Sequence, residues 1–376
     1  MKPSSAPALF GELIEKFQLK GCFKRFAAVA AGNINDTYVL ETLLPNGETR
    51  RYTVQKINHF VFADPEAVAN NAFAVTAHIE KKLRERNTPD LRRKVLRYYR
   101  TEEGKFFHRT ADGSYWRVFS YVYDALNTGN ADERILRGTG TAFGRFQSML
   151  ADFPAEKLAV TIPDFHNTPR RFADLERAAE KDVCGRLAEV RELYDRLLSV
   201  RDRVDLFHRL HGEGKLPLRV VHNDTKCNNV MFDLATLEPL AVIDLDTVMP
   251  GFVAHDFGDA VRFACNTAPE DAEDLSAVSL DLKAFTHFAE GFLPEVRGIL
   301  TEEELSTLPE GVLLITWELA ARFLKDDLEG DVYFKCRKER HNRIRAACQL
   351  ELADDISRKL PEMRQILRRV CADCEP

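Results

Sequence analysis

Between Val220 and Gly258 the chain reads VVHNDTKCNNVMFDLATLEPLAVIDLDTVMPGFVAHDFG, and this stretch restricts the fold more than any other. His222-Asn223-Asp224 is followed, five residues after the Asp, by Asn229; an apolar run, Leu240-Ala241-Val242-Ile243, then stops abruptly at Asp244. A loop bearing acid and amide groups thus precedes a buried strand that ends in a second acid, twenty residues beyond the first.

A hydroxyl that attacks a γ-phosphoryl group needs positioning, a carboxylate to accept its proton, and metal ions to neutralise the phosphate oxygens. Asp224 stands where the Asp of a kinase catalytic loop, H-R-D-x-x-x-x-N, would stand, and Asn229 follows at the matching distance. Lys226, two residues after the Asp, is placed to reach the γ-phosphate and stabilise charge that builds in the transition state. Asp244 and Asn229 are the candidate Mg²⁺ ligands through hard oxygen atoms, with Asp246 near enough to assist through water. One Asp at a strand end is ordinarily a turn or cap residue. Asp224, Asn229 and Asp244 together, in this order with the strand between, point to phosphoryl transfer. The literal Asp256-Phe257-Gly258 follows Pro250-Gly251 rather than an apolar strand, so it is not the metal motif. Asp256 and Asp259 are expected to bond backbone amides and Arg262, bracing the loop from behind.

Composition narrows the partners. With 376 residues, 45% hydrophobic and 30% charged, the chain has the length for two lobes and the make-up of an ordinary globular protein. A formal net charge of -6 gives no broad attraction to nucleic acid or anionic lipid, so the expected partners are ATP and a small molecule. The opening MKPSSAPALFGELIEKF lacks the apolar core of a signal peptide, and no run has membrane-spanning length, so a cytoplasmic location is expected. The eight cysteines are scattered except for Cys371 and Cys374, which read as reduced thiols in a frayed tail.

Along the N-terminal part, Leu9, Leu13, Ile14 and Phe17 predict a short amphipathic helix over 8–18. Strand patterns follow in FKRFAAVAA, DTYVLETLL and RRYTVQKI, with a tight hairpin at Asn46-Gly47, where both residues tolerate positive φ. The turn Ala31 to Thr37, with Gly32, Ile34, Asn35 and Thr37, would lie over ATP phosphates if this lobe is kinase-like; alone it reads better as a plain β-turn. Val54 and Lys56 share one face of the third strand, the offset at which a kinase lysine reaches the phosphates, and a one-residue slip presents Gln55 instead. Asp64-Pro65 starts a helix to Arg86 in which Glu66 or Glu80 would pair with the strand lysine. KVLRYYR, KFFHRT and SYWRVFSYVY complete an N-terminal antiparallel sheet, with Trp116 to Tyr123 as the connector between lobes.

The polar break at Asn127 to Asn130 divides the chain into a nucleotide-binding lobe, 1–126, and a catalytic and substrate-binding lobe, 127–376. Beyond it helices are predicted over 132–151, 170–211, 281–295, 302–328 and 336–369, interrupted only by the central stretch.

HNDTKxNNV, VIDLDTVMPG and HDFGDAVRF resemble the aminoglycoside phosphotransferase-like superfamily and, within it, the N-acetylhexosamine 1-kinase group. The resemblance runs from GNINDTY at Gly32 through DFHNTPRR at 164–171 to RFLKDDLEGDVYF at 322–334. It implies an α+β, two-lobed protein-kinase-like fold, ATP and Mg²⁺, and transfer to the anomeric hydroxyl of N-acetylglucosamine or N-acetylgalactosamine. By the same likeness Arg322 and Tyr333 line the sugar pocket with Asp224, and Asn33, where relatives carry His, touches the sugar. From the residues alone, Arg322 in a helix is a surface or salt-bridging residue, and His166 in DFHNTPRR reads either as a helix-cap partner or as a substrate contact. The competing readings are a kinase for another hexose, an amino alcohol or an aminoglycoside, a nucleotide-binding pseudokinase scaffold, and a metal-dependent hydrolase.

Overall fold

A computed structural model of the chain describes residues 6–29, 34–129 and 132–373. Gly32 and Asn33 of the expected phosphate turn, and Cys374, lie outside the described residues.

The N-terminal lobe begins with helix α1 (Ala6–Lys16) and strands β1 (Cys22–Ala28), β2 (Asp36–Leu43) and β3 (Thr49–Ile57). It continues through α2 (Pro65–Glu85), α3 (Leu91–Lys94), β4 (His108–Arg109) and β5 (Tyr115–Ser120). These strands form one antiparallel sheet in the order β1-β2-β3-β5-β4. The hairpin between β2 and β3 closes with Gly47 at φ 85° and its N–H on the Leu44 carbonyl at 2.9 Å; Asn46, contrary to expectation, does not take positive φ. Asp64 caps α2 by accepting from the Ala67 N–H at 3.0 Å, Pro65 occupies the first turn, and Val68, Ala72, Val75, Ile79 and Leu83 bury one face.

KVLRYYR is not a sheet strand. Its start is the helical turn α3, and the rest only borders β5, with the Tyr99 N–H on the Val118 carbonyl at 2.9 Å. The expected connector at Trp116 to Tyr123 is mostly β5 itself, and β6 (Ala125–Leu126) already pairs with a strand of the second lobe.

The C-terminal lobe holds α4 (Glu133–Met149), α5 (Thr168–Lys181), α6 (Arg191–Leu198) and α7 (Leu206–Gly212). Then come β7 (Arg219–Val221), β8 (Val230–Asp233), β9 (Pro239–Val242), β10 (Met249–Gly251) and α8 (Val253–Ala264). It ends with α9 (Leu282–Val296), α10 (Glu302–Ser306), α11 (Leu308–Glu329) and α12 (His341–Asp373). Two small sheets, β6-β8-β9 and β7-β10, present the central stretch. The single helix expected over 170–211 is broken where Asp182 turns left-handed at φ 35° and Gly185 follows at φ 64°.

Helix α8 lies outside the helices expected from the sequence; Val253 to Arg262 are all buried, the polar His255, Asp256, Asp259 and Arg262 among them. It crosses α11 at backbone contact: a Cβ on Gly258 would meet the Gly311 carbonyl oxygen at 2.4 Å, and one on Gly311 would meet that of Ala254 at 2.0 Å. That crossing fixes the position of Asp256 and Asp259. Among the described residues, no helix is long and apolar enough to cross a membrane, and Cys22, Cys184, Cys227, Cys265, Cys336 and Cys348 are free thiols.

Candidate active site

Strand β7 delivers His222, Asn223 and Asp224 to the rim of the lobe, and buried Asp256 on α8 holds them from below. Its carboxylate accepts the backbone N–H groups of His222 at 2.8 Å and Asn223 at 2.7 Å, together with the Gln147 amide at 2.9 Å. Asp259 accepts the Thr225 N–H at 3.2 Å and pairs with Arg262 at 2.9 Å. The bracing role expected for Asp256 and Asp259 is the geometry found. Asn223 sits in the left-handed region at φ 64°, a conformation costly for a residue with a Cβ, and its Nδ2 is tied to the Thr247 carbonyl at 2.8 Å.

His222 joins the loop to the metal strand. Its Nε2 lies 2.9 Å from the Ile243 carbonyl and its Nδ1 lies 3.3 Å from the Asp224 N–H, so these partners assign the proton to Nε2 and make Nδ1 the acceptor. The ring is fully buried against the edges of Phe143 and Phe146. Ile243 immediately precedes Asp244, so one imidazole sets the spacing between the Asp224 loop and the Asp244 strand.

Asp224, Lys226 and Asn229 come together as expected. Lys226 Nζ is 2.6 Å from Asp224 Oδ1, and Asn229 Nδ2 donates to Asp224 Oδ2 at 3.0 Å and to its carbonyl at 2.8 Å. Burial disfavours the charged Lys226, but Asp224 and Asp259 outweigh it and raise its pKa. Asp244 lies at the end of the β9 run with φ 59°, also left-handed. Its side chain is exposed to solvent. Partial desolvation by the surrounding protein, and then the carboxylates of Asp246 and Asp224, raise its pKa above the usual carboxylate range. Asn229 and Asp244 are the residues whose oxygens could hold a divalent cation; among the described residues no group of three or more His, Cys, Asp or Glu could do so.

Asp246 does not stand ready to assist a metal through water. It is buried and accepts from Arg117 of β5 and from Asn35, and so ties the second lobe to the first. Arg117 also donates from Nε to Gln55 Oε1 at 3.0 Å, Gln55 donates to Thr37 Oγ1 at 3.0 Å, and Asn35 accepts the Asn58 N–H at 2.8 Å. Arg117 Nη1 is buried with no partner among the described residues.

The strand register thus presents Gln55 to this network and turns Lys56 to the opposite face. Lys56 lies across from Trp116 on the side that packs against α1, within electrostatic reach of Asp112. Neither acid of α2 pairs with it: Glu80 binds Arg84 at 2.6 Å and Arg97, and Glu66 is exposed in the first turn. The cation facing the second lobe from the sheet is Arg117, which the sequence reading missed. The signal lay in YWRVF, where an Arg at 117 alternates with Tyr115 and Phe119 on the inner face of the sheet. Ile34 is 45% exposed, and its carbonyl accepts from Asn58 at 3.2 Å.

His166, Arg322 and Tyr333 also gather, behind α8. His166 Nδ1 is 2.9 Å from Glu318 Oε1, Thr168 donates to the other oxygen at 2.9 Å, and His166 Nε2 is buried without a partner among the described residues. Arg322 lies over the rings of Phe334 at 5.5 Å and Phe165 at 5.9 Å, and Arg171 bonds the Phe165 carbonyl at 3.1 Å. Burial, and then the charge of Arg322, lower the pKa of Arg171, and His166 is close enough to Asp256 and Asp259 to act on both. Tyr333 is 69% exposed on a loop that Asp326 clamps by accepting the N–H groups of Val332, Tyr333 and Phe334.

The solved structures similar to this one share its fold along nearly its whole length. An aminoglycoside phosphotransferase from Alicyclobacillus acidocaldarius matches at 14% identity over 91% of this chain and 92% of that one, with a TM-score of 0.58. A microcompartment-associated aminopropanol kinase matches at 16% identity over 95% and 98%, with a TM-score of 0.56. A choline kinase from Cryptosporidium parvum matches at 13% identity over 92% of each chain, with a TM-score of 0.52. The α+β, two-lobed kinase-like architecture is therefore that of this chain as well. The sequence profile of the phosphotransferase enzyme family matches residues 25–290, from β1 through the catalytic loop, the Asp244 strand and α8 into α9, and the chain belongs to that family.

Proposed function

We propose that the chain transfers the γ-phosphate of ATP to a hydroxyl of a neutral small molecule, and that this acceptor is an N-acetylhexosamine phosphorylated at its anomeric hydroxyl. The observation that carries the choice of acceptor is the charge around Glu318. His166, Arg171 and Arg322 gather there, and the carboxylate among them is already bonded to His166 and Thr168. A cationic acceptor, such as an amino alcohol, needs free carboxylates or open aromatic faces. Here Arg322 already covers Phe165 and Phe334. Arginine and histidine N–H groups suit the hydroxyl and acetamide oxygens of a neutral sugar.

Asp224 accepts the proton of the attacking hydroxyl, with Asn229 and Lys226, each bonded to one of its oxygens, fixing the orientation of its carboxylate. Asn229 and Asp244 fit Mg²⁺, which takes one or two protein oxygens and keeps the rest of its shell for water and phosphate. The repulsion that raises Asp244 is of the kind a divalent cation relieves. Bound there, the ion would neutralise the phosphate oxygens during transfer. Ile34, Asn35 and Thr37 border the phosphates, and Arg117 Nη1 takes the donor role first considered for Lys56.

ADP release measured with ATP, Mg²⁺ and a panel of N-acetylglucosamine, N-acetylgalactosamine, choline, ethanolamine and an aminoglycoside tests this. Turnover of a hexosamine without turnover of the amines is expected. Turnover of an amine with neither hexosamine would overturn the acceptor, and equal ADP release without any acceptor would overturn transfer itself.

A further inference from the structure

Apart from the site described above, α2, α4 and β9 enclose a cavity of about 260 Å³. Its walls are Ile79 and Leu83 of α2, Phe146 of α4, and Leu240 and Val242 of β9. An apolar pocket of this kind between two lobes has the make-up of a small-molecule site. None of Asp224, Lys226, Asn229, Asp244, Gln55 or Arg117 lines it.

The cavity is apolar within and cationic at its edge, where Arg86, Lys94 and Arg145 stand. Arg145 is engaged by Glu295 at 2.9 Å, whereas Arg86 and Lys94 make no ion pair among the described residues. Lys94 is half-buried; burial, and then the charges of Arg145 and Arg93, outweigh the opposing charges of Asp90 and Glu238 and hold its pKa below the usual lysine range. A cation crowded by other cations at the mouth of an apolar cavity is stabilised by an anion there, and an apolar tail on that anion would fill the space behind it.

We infer that this cavity binds a medium-chain amphipathic monoanion, its carboxylate between Arg86 and Lys94 and its apolar tail against Leu83, Phe146 and Leu240. Such a ligand bridges the lobes, since α2 belongs to the first and α4 and β9 to the second. It also packs against Val242 and Leu245, the residues on either side of the Ile243-Asp244 turn. The inference is independent of which acceptor the enzyme uses.

Calorimetric titration of the full chain with octanoate, 1-octanol and octylammonium is the test. Octanoate is expected to bind at one site per chain, about tenfold or more tighter than octanol, the scale of one charge-assisted contact, with octylammonium not binding. Saturating ATP with Mg²⁺ should leave the octanoate affinity unchanged. Lys94→Glu should abolish octanoate binding and Lys94→Arg should retain it. Ala142→Phe, which fills the cavity from α4, should abolish it as well. The Lys94 pair changes a half-exposed side chain and decides the matter even where the Ala142 variant fails to fold. Equal binding of octanol and octanoate, octanoate binding that survives Lys94→Glu, or displacement by ATP would each overturn the inference.

Discussion

Arg117 of β5 and Asp246, two residues beyond the candidate metal ligand Asp244, form a buried ion pair that crosses from one lobe to the other. Both side chains have further partners, Gln55 for the arginine and Asn35 for the carboxylate, so the pair is the centre of a network rather than an isolated contact. Removing one partner of a buried pair leaves the other charge uncompensated and costs about 3–5 kcal/mol. Arg117→Met is therefore expected to lower unfolding stability by about that amount in denaturant titration. Arg117→Lys should recover little, because an ammonium lacks the planar fork that serves Gln55 and Asp246 at once. A loss below about 1 kcal/mol, the worth of an exposed pair, would show that the network does not hold the lobes together.

Asp256 accepts two consecutive backbone N–H groups, and its amide analogue would turn a donor toward one of them. Hydrogen bonds to a charged group contribute about 1.5–3 kcal/mol each. Asp256→Asn should therefore reduce kcat by roughly tenfold or more, about the loss of one such bond in the transition state, while the KM for ATP changes little. Wild-type kcat in a folded Asp256→Asn protein would remove the bracing role.

Lys56 and Asp224 make opposite predictions. With Lys56 on the α1 face of the sheet, Lys56→Ala should leave kcat and the KM for ATP within about twofold, as surface substitutions usually do. Asp224→Asn should bind ATP normally and turn over roughly 10²-fold more slowly, the usual worth of a positioned base. Steady-state kinetics on the two variants check both. A large loss in the lysine variant would mean that the cleft register is the other one.

The contrast between these residues shows what the sequence made legible. Asp224, Lys226 and Asn229 lie within six residues, so loop geometry brings them together whatever the rest of the chain does. Lys56 and Gln55 differ by one position in a strand, where the side-chain period of two makes adjacent residues face opposite ways; the pattern could not choose between them. Arg117 and Asp246 are 129 residues apart, and nothing local marks them as partners. The N-terminal sheet was readable from its turns. By contrast, the long helix expected over 170–211 is cut by a left-handed Asp182, a local backbone choice that helical periodicity does not reveal.

The position of the transferred phosphate tests the central claim most directly. With ATP, Mg²⁺ and an N-acetylhexosamine, ³¹P nuclear magnetic resonance of the product should show one sugar phosphate whose phosphorus couples to the anomeric proton, formed in step with ADP. A phosphorus coupled instead to the protons of a primary carbinol, or inorganic phosphate as the sole product, would contradict it.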